Sequence, residues 1–245
     1  MLNGQVIIVT GGATGIGLGI SAVLASLGAR IAMVQPDVAQ TAGVPGAQGF
    51  VADVRDREQV NRMVAEVLAA FGRIDALVNN AAVTGLRAVN AFLETPPEQV
   101  AQIVGVNLLG PIWCSQAVAR HWVAQKQAGN IVNIARTGAF AAQEFASIYC
   151  ASKAGLVGLA RSMALELAQH RIRVNTVAPG DILTEASADI GPQLKELGIS
   201  GLYTRRTPLG RRGSPEDIGR AVAYLLTAEF LTGTVIQADG GLLTY

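Results

Sequence analysis

The sequence predicts an α/β fold in which a doubly wound parallel sheet of about seven strands forms a single domain. Short runs of β-branched residues alternate along the chain with longer stretches rich in Ala and Leu. The β-branched runs are apolar at successive positions, as in strands that are covered by helices on both faces. Right-handed crossovers between such strands place helices on both sides of a parallel sheet.

The predicted elements follow one another in regular order from the N-terminus. The β-branched runs predict strands at Val6–Val9, Arg30–Val34, Gly49–Val51, Ala76–Val78, Asn130–Ile134, Arg173–Val177 and Thr234–Gln237. The stretches between them predict helices at Gly17–Leu27, Arg57–Ala70, Pro97–Val123, Ile148–Gln169 and Pro215–Leu226. No repeat or linker interrupts this order, so residues 1–245 are predicted to be one domain.

Two segments break the pattern. Prolines and glycines interrupt Gln35–Gly49, so a helix there is expected to be short or missing. Residues 181–209 mix Gly, Pro and short apolar groups and are expected to form a mobile loop over a substrate site. Arg205, Arg206, Arg211 and Arg212 are interpreted as charges on a solvated loop.

The composition limits the class of protein. Half of the 245 residues are hydrophobic and 15% are charged, which suits one large domain with a buried core. A net charge of +1 gives no electrostatic basis for binding nucleic acid or an acidic membrane surface. Two cysteines, an early first strand and no long apolar run predict reduced thiols, no signal peptide and a cytoplasmic location. No metal site is predicted.

A glycine-rich loop joins the first strand to the first helix. Val6–Val9 runs into Thr10-Gly11-Gly12-Ala13-Thr14-Gly15-Ile16-Gly17. Gly11, Gly15 and Gly17 permit a tight turn, close approach of the backbone to a diphosphate, and packing of the helix on the strand. The helix N-terminus supplies free N–H groups and a positive dipole end. The order of strand, loop and helix predicts a dinucleotide site on a Rossmann-type sheet.

Tyr149 and Lys153 form the candidate catalytic pair. They are four residues apart in a predicted helix, so their side chains share one face. A phenol with its ordinary pKa of about 10 is a poor acid or base at neutral pH. A nearby ammonium group favours the phenolate and lowers that pKa. Tyr149 then becomes a usable general acid or base.

Together these motifs resemble the short-chain dehydrogenase/reductase family. Thr10-Gly-x-x-x-Gly15-x-Gly17 and Tyr149-x-x-x-Lys153 carry the resemblance. Further matches extend it along nearly the whole chain: Asp53-Val54, Asn79-Asn80-Ala81-Ala82, Asn107, Ile172-Arg173-Val174-Asn175, the segment from Pro179-Gly180 to Ile182-Leu183-Thr184, and Asp239-Gly240-Gly241. The family implies an oxidoreductase that uses NAD or NADP and exchanges hydride with a secondary alcohol or ketone.

The resemblance also implies roles for individual residues. Tyr149 would exchange a proton with the substrate, Lys153 would hold the nicotinamide ribose, and Asn107 would hold a water that passes protons towards Lys153. The implied cofactor contacts come from the glycine loop, Asp53 and Val54 at the adenine, Asn80 and Ala81 at the adenine ribose, the Pro179-Gly180 turn, and Ile182 and Thr184 at the carboxamide. Family members usually form homodimers or homotetramers through the helices after Pro97 and Ile148.

Gln35 bears on the choice between NAD and NADP. It ends the second strand, where a carboxylate would bind the adenine ribose hydroxyls. Glutamine can still hydrogen-bond a 2′-hydroxyl, and neither Thr14 nor the residue after Gln35 is basic. Asp37 is close by. NAD is therefore the expected cofactor, with NADP as the alternative.

Arg136 stands where the family has a catalytic serine, thirteen residues before Tyr149. Losing such a hydrogen-bond donor typically costs about 10²–10³ in rate. Thr137 and Ser147 are the nearest other hydroxyls. Three interpretations are open: Arg136 weakens or abolishes turnover, or it binds a substrate carboxylate or oxyanion, or it points to solvent with little effect. A catalytically silent NAD(P)-binding sensor or scaffold is the rival to an enzyme.

The substrate pocket is expected after the fourth and fifth strands. Gln143 and Glu144 are possible hydrogen-bonding groups, and Thr84, Phe140, Phe145 and Leu183 are expected to form a mostly apolar wall. A small secondary alcohol, a sugar alcohol or a ketone would suit such a pocket.

Overall fold

A seven-stranded parallel sheet organises the molecule in the computed structural model, which describes residues 2–37, 43–187 and 207–244. The strands are β1 (Val6–Thr10), β2 (Arg30–Gln35), β3 (Ala47–Val51), β4 (Ala76–Asn79), β5 (Gly129–Ile134), β6 (Ile172–Pro179) and β7 (Val235–Ala238). Their order across the sheet is β3-β2-β1-β4-β5-β6-β7. The predicted doubly wound fold is confirmed.

Six α-helices in the described chain cover the two faces of the sheet. They are α1 (Gly15–Ser26), α2 (Arg57–Phe71), α3 (Pro97–Val104), α4 (Gly110–Ala124), α5 (Ser147–Leu167) and α6 (Pro215–Thr227). Among these residues, no helix combines the length and the apolar character that crossing a membrane requires.

Alternation along β1 divides the core between the two faces. Val6 and Ile8 pack in the layer with α2, α4 and α5, whereas Ile7 and Val9 pack in the layer with α1 and α6. Successive side chains of a strand point to opposite faces, so this central strand contributes to both layers. Each of the four is fully buried.

The predicted helix Pro97–Val123 is not one regular α-helix. A π-helical turn, Gly105–Leu109, separates α3 from α4, and the Gly110 N–H donates to the Gly105 carbonyl five residues back. The apolar pattern of the segment did not reveal this extra residue. The turn brings the buried Asn107 side chain beneath the sheet edge.

The two irregular segments are described only in part. Residues 43–46 contain no helix, and β3 begins two residues before its predicted start. Most of the loop predicted at 181–209 lies outside the described residues, so its mobility stays a prediction. Its described start contains a short 3₁₀ turn at Glu185–Ser187.

Candidate active site

A cleft of about 480 Å³ lies at the carboxyl edge of the sheet, where the strand order reverses between the neighbouring strands β1 and β4. Parallel doubly wound sheets bind ligands at this topological switch point. The cleft gathers most of the site residues predicted from the sequence: Gly11, Thr14, Gly15, Ile16, Gly17, Gln35, Asp53, Val54, Asn80, Ala81, Arg136, Tyr149, Lys153, Pro179, Ile182 and Thr184.

The glycine loop forms one end of the cleft. Gly11 and Gly15 have φ angles of +64° and +50°, which favour glycine. A Cβ at Gly17 would overlap the Gly11 carbonyl, so this residue has no room for a side chain. No side chain caps the N-terminus of α1, and the first turn of α1 contains no acidic residue. The loop therefore fits an anionic diphosphate.

Thr10 and Asn80 fasten this loop to the end of β4. The Thr10 hydroxyl accepts hydrogen bonds from the backbone N–H groups of Asn80 and Ala81, at 3.0 and 3.1 Å. The Asn80 amide donates to the carbonyls of Thr10 and Gly11, at 2.9 and 3.1 Å. These four bonds fix the loop in its tight conformation through contacts within the protein.

The ends of β2 and β3, next to the glycine loop, provide groups that fit an adenosine. The Nε2 atom of Gln35 is buried and has no hydrogen-bond partner among the described residues, so it is available to a ribose hydroxyl. Asp53 accepts from the Nε and Nη2 atoms of Arg55, at 2.9 and 2.5 Å. The hydrogen bonds from Arg55 lower the pKa of Asp53 and keep its carboxyl group ionised. Sequence reasoning did not select Arg55.

Tyr149 and Lys153 lie in the floor of the same cleft. Both project from α5 and both are buried. The Lys153 Nζ atom donates to the Ile134 carbonyl at 2.9 Å and lies 5.9 Å from the centre of the Tyr149 ring. Burial, and secondarily the charge of Arg136, lower the pKa of Lys153 from 10.5 to about 7.

Asn107 lies behind the cleft wall and does not line it. Its Oδ1 accepts from the Val83 N–H at 2.8 Å, and its Nδ2 donates to the Val83 carbonyl at 3.2 Å and to the Ser152 hydroxyl at 3.3 Å. Asn107 thus connects the loop after β4 to α5, the helix that carries Tyr149 and Lys153. Its suggested role in holding a water near Lys153 stays a prediction.

Arg136 follows β5 and lines the cleft with Tyr149 and Lys153. Its backbone is extended, with φ −171° and ψ 162°, and its side chain is half-buried. Neither nearby hydroxyl replaces the serine: Thr137 is buried outside the cleft, and Ser147 is exposed at the start of α5. Thr137 begins the 3₁₀ turn Thr137–Ala139, so the chain leaves the extended conformation directly after Arg136.

The substrate wall differs in part from the expectation. Thr84 and Gln143 line the cleft, whereas Phe140, Phe145, Leu183 and Glu144 do not. Phe140 and Leu183 are 42% and 50% exposed. Among the described residues, the cleft lining thus includes the two polar groups Thr84 and Gln143, and a substrate wall that includes Phe140, Phe145 and Leu183 stays a prediction.

Gly180 is the one predicted cofactor residue that does not line the cleft. A Cβ at this position would lie 2.6 Å from the Cα of Asp239, and its N–H donates to the Ala238 carbonyl at 3.1 Å. Gly180 allows β6 to pass close to the residue after β7. The close approach to Asp239 gives Gly180 a packing role, and its cofactor contact stays a prediction.

Comparison with known proteins identifies the family of this chain. The family model described as enoyl-(acyl carrier protein) reductase matches residues 11–243. The chain belongs to the short-chain dehydrogenase/reductase family. This membership confirms the resemblance recognised in the sequence and makes the protein an oxidoreductase of a family that binds NAD(P) and acts on alcohols and ketones.

Individual relatives cover essentially the whole dehydrogenase. The 3-oxoacyl-[acyl-carrier-protein] reductase FabG of Thermotoga maritima is 34% identical over 252 residues, which cover 99% of each chain. Galactitol 2-dehydrogenase of Agrobacterium fabrum is 32% identical over 253 residues, or 98% of each chain. The structure of 3-ketoacyl-(acyl-carrier-protein) reductase from Brucella melitensis with NADH is 29% identical, with a TM-score of 0.87 over 99% of each chain.

Arg212 supports the cofactor wall of this dehydrogenase, although the sequence suggested a solvated charge. Its Nη2 donates to the Asp181 carboxylate at 2.8 Å and to the Ser187 hydroxyl at 3.1 Å. The Thr184 N–H donates to the same hydroxyl at 2.9 Å. Arg212 therefore anchors the turn that carries Ile182 and Thr184. Only the three-dimensional approach of two distant loops reveals this function.

We predict that Lys153 loses its proton as the pH rises through about 7. Its pKa is depressed, so the ammonium form predominates below that pH and the neutral amine above it. The chain contains only three lysines, which makes a titration of their 13Cε NMR signals practical. The Arg136→Ser variant should move the Lys153 midpoint upward, because it removes a like charge. The loss of one signal in Lys153→Met identifies which signal belongs to Lys153. An unchanged midpoint in Arg136→Ser would contradict the effect of the Arg136 charge on the pKa of Lys153.

Proposed function

We propose that this dehydrogenase interconverts a secondary alcohol and a ketone, with Tyr149 as the group that transfers the proton. The observation that supports it most directly is the burial of Tyr149 beside Lys153 in the floor of a cleft whose other end fits a dinucleotide. The relatives named above are a 3-oxoacyl reductase and a galactitol dehydrogenase. Both names describe chemistry between an alcohol and a carbonyl group.

Different residues of the chain have different roles in this reaction. The nicotinamide, when bound, supplies or accepts the hydride. Tyr149 donates its hydroxyl proton to the carbonyl oxygen during reduction and takes the proton from the alcohol during oxidation. Lys153 reaches from α5 to the end of β5 and would hold the nicotinamide ribose, while the glycine loop would hold the diphosphate and Gln35 the adenine ribose.

Arg136 replaces the serine whose neutral hydroxyl group, in the family, donates a hydrogen bond to the reacting oxygen. Its bulk fills part of the pocket, and its charge opposes the charging of Lys153. Both effects weaken catalysis on a small neutral substrate. We therefore favour the interpretation in which Arg136 lowers turnover of simple secondary alcohols and ketones.

We predict that Arg136→Ser raises kcat/KM on a neutral secondary alcohol or ketone by at least about tenfold, because a serine restores the donor. Turnover is measured from the absorbance of the reduced cofactor, with NAD and NADP, against a panel of alcohols and ketones. Equal or lower activity in Arg136→Ser contradicts this interpretation of Arg136.

Adding Tyr149→Phe to the Arg136→Ser chain provides the matched control. The double variant should bind NADH with unchanged affinity, measured by fluorescence, but should lose turnover because the phenylalanine ring carries no proton to transfer. Turnover that persists without the hydroxyl excludes Tyr149 as the acid–base group. The rival function, a silent NAD(P)-binding protein, predicts NADH binding without turnover in every variant.

NAD is the proposed cofactor, on the evidence of the adenosine end of the cleft. The Nε2 atom of Gln35, which has no hydrogen-bond partner among the described residues, suits a 2′-hydroxyl. Arg55 also lines the cleft, but it forms an ion pair with Asp53. A 2′-phosphate would thus meet no free cation among the described residues at Gln35. We predict tighter binding of NADH than of NADPH, measured by fluorescence titration. Gln35→Arg should narrow or reverse the preference, and tighter NADPH binding by the unmodified chain contradicts the proposal.

A homotetramer, or a homodimer, completes the proposal. Leu109 just before α4 and Val123 in its last turn are each 38% exposed, and Leu165 on α5 is 83% exposed. Apolar groups on neighbouring helices favour contact between copies of the chain. Light scattering coupled to gel filtration should give a multiple of the 25.4 kDa chain mass, and a mass of one chain contradicts it. A cytoplasmic location is also proposed, since both cysteines are free thiols.

A further inference from the structure

We infer that Arg212 and Ser187 are positioning residues for the nicotinamide end of the cofactor, because together they hold the Thr184 hydroxyl as a hydrogen-bond acceptor. This role rests on the proposed function, since it takes the bound molecule to be a nicotinamide dinucleotide. It adds a chemical selection to the anchoring of the turn: the site recognises a primary carboxamide by its N–H groups.

Arg212 makes four hydrogen bonds to the turn after β6. Its Nη2 atom donates to the Asp181 carboxylate at 2.8 Å, to the Ser187 hydroxyl at 3.1 Å and to the Ile182 carbonyl at 3.3 Å. Its Nη1 atom donates to the Ser187 carbonyl at 3.3 Å. The donors of a guanidinium group form a rigid fork, so these contacts fix the spacing between the two ends of the turn.

The Ser187 hydroxyl lies at the centre of this turn. It accepts hydrogen bonds from the Thr184 N–H at 2.9 Å and from Arg212. It donates to the carbonyl of Ile182 at 2.9 Å, with the carbonyl of Thr184 further away at 3.3 Å. A hydroxyl has a single proton. The contact of 3.1 Å between the Ser187 and Thr184 hydroxyl oxygens therefore uses the proton of Thr184.

The Thr184 hydroxyl, with its proton directed to Ser187, keeps only its capacity to accept hydrogen bonds. Thr184 lines the cleft and lies close to the glycine loop, since a Cβ at Gly15 would be 3.7 Å from the Thr184 Cγ2 atom. A primary carboxamide has two N–H donors that suit such an acceptor, whereas a ketone in its place has none. The direction of one hydroxyl proton thus selects the ligand group.

The backbone that carries Arg212 is attached to the helices next to the glycine loop. Gly213 forms a parallel bridge with Ile182. From there the chain enters α6, which packs so closely on α1 that a Cβ at Gly19 would lie 2.3 Å from the Cβ of Pro215. Because α1 follows the glycine loop, Arg212 links the support of the diphosphate end to the turn at the nicotinamide end.

Two ligands that differ from NADH only at the nicotinamide end test this role. ADP-ribose lacks the nicotinamide, and reduced 3-acetylpyridine adenine dinucleotide keeps the carbonyl group but has a methyl group in place of the amide nitrogen. Calorimetry should show that the unmodified chain binds NADH more tightly than the acetylpyridine analogue by about fivefold or more, as expected for one net hydrogen bond.

Arg212→Met and Ser187→Ala should each reduce this preference to below about twofold while leaving the affinity for ADP-ribose unchanged. Because both residues act through Thr184, the double variant should match either single variant. Ser187→Thr keeps the hydroxyl and should retain the preference. Arg220→Met is the matched control, since Arg220 is also an arginine in an ion pair but its partner is Asp217 of the same helix.

The outcomes separate the positioning role from the proposed reaction. Equal losses of affinity for NADH, the analogue and ADP-ribose in Arg212→Met overturn the positioning role, because a general loosening of the fold affects all three ligands. An unchanged preference in Arg212→Met and Ser187→Ala, or no preference in the unmodified chain, also overturns it. A preference that requires Arg212 and Ser187 in a chain without turnover supports the role and rejects the proposed reaction. Failure of the unmodified chain to bind NADH overturns both.

Discussion

The burial of the Lys153 ammonium group beside Tyr149 is the interaction on which the site depends. A buried cation is costly unless neighbouring dipoles compensate it, and here the Ile134 carbonyl at the end of β5 accepts its hydrogen bond. That carbonyl is available only because β5 ends where α5 passes over it. The acid–base chemistry proposed for Tyr149 therefore depends on how β5 and α5 are placed, and neither residue would have it alone.

The sequence predicted the parts of the fold that follow from local periodicity. Apolar β-branched runs identified all seven strands, and the glycine loop identified the switch point, because both signals lie within a few adjacent residues. The Tyr149 and Lys153 pair was equally local. The π-helical turn was missed, since one extra residue in a long apolar helix barely changes its hydrophobic pattern.

Contacts between distant segments limited the prediction of the site. Arg212 supports Thr184 through Ser187 across 25 or more residues, and no spacing rule connects them. Arg55 pairs with Asp53, only two residues away, but its position in the cleft depends on the path of the chain between β3 and α2. Gly180 matched a motif, and the structure adds a packing contact with Asp239 that the motif does not show. Thus motif matches located the cleft, while the partners of each side chain required coordinates.

The π-helical turn at Gly105–Leu109 holds one residue more than a turn of α-helix, because the Gly110 N–H bonds to the carbonyl five residues back. In a regular α-helix, one additional residue would rotate everything after it by about 100°. The wider turn absorbs that rotation, so Cys114, Val118 and Trp122 on α4 still face the core layer beside the sheet. A second insertion at the same place would find no such turn to absorb it, and it would move these three groups away from the core even though no reacting atom is touched.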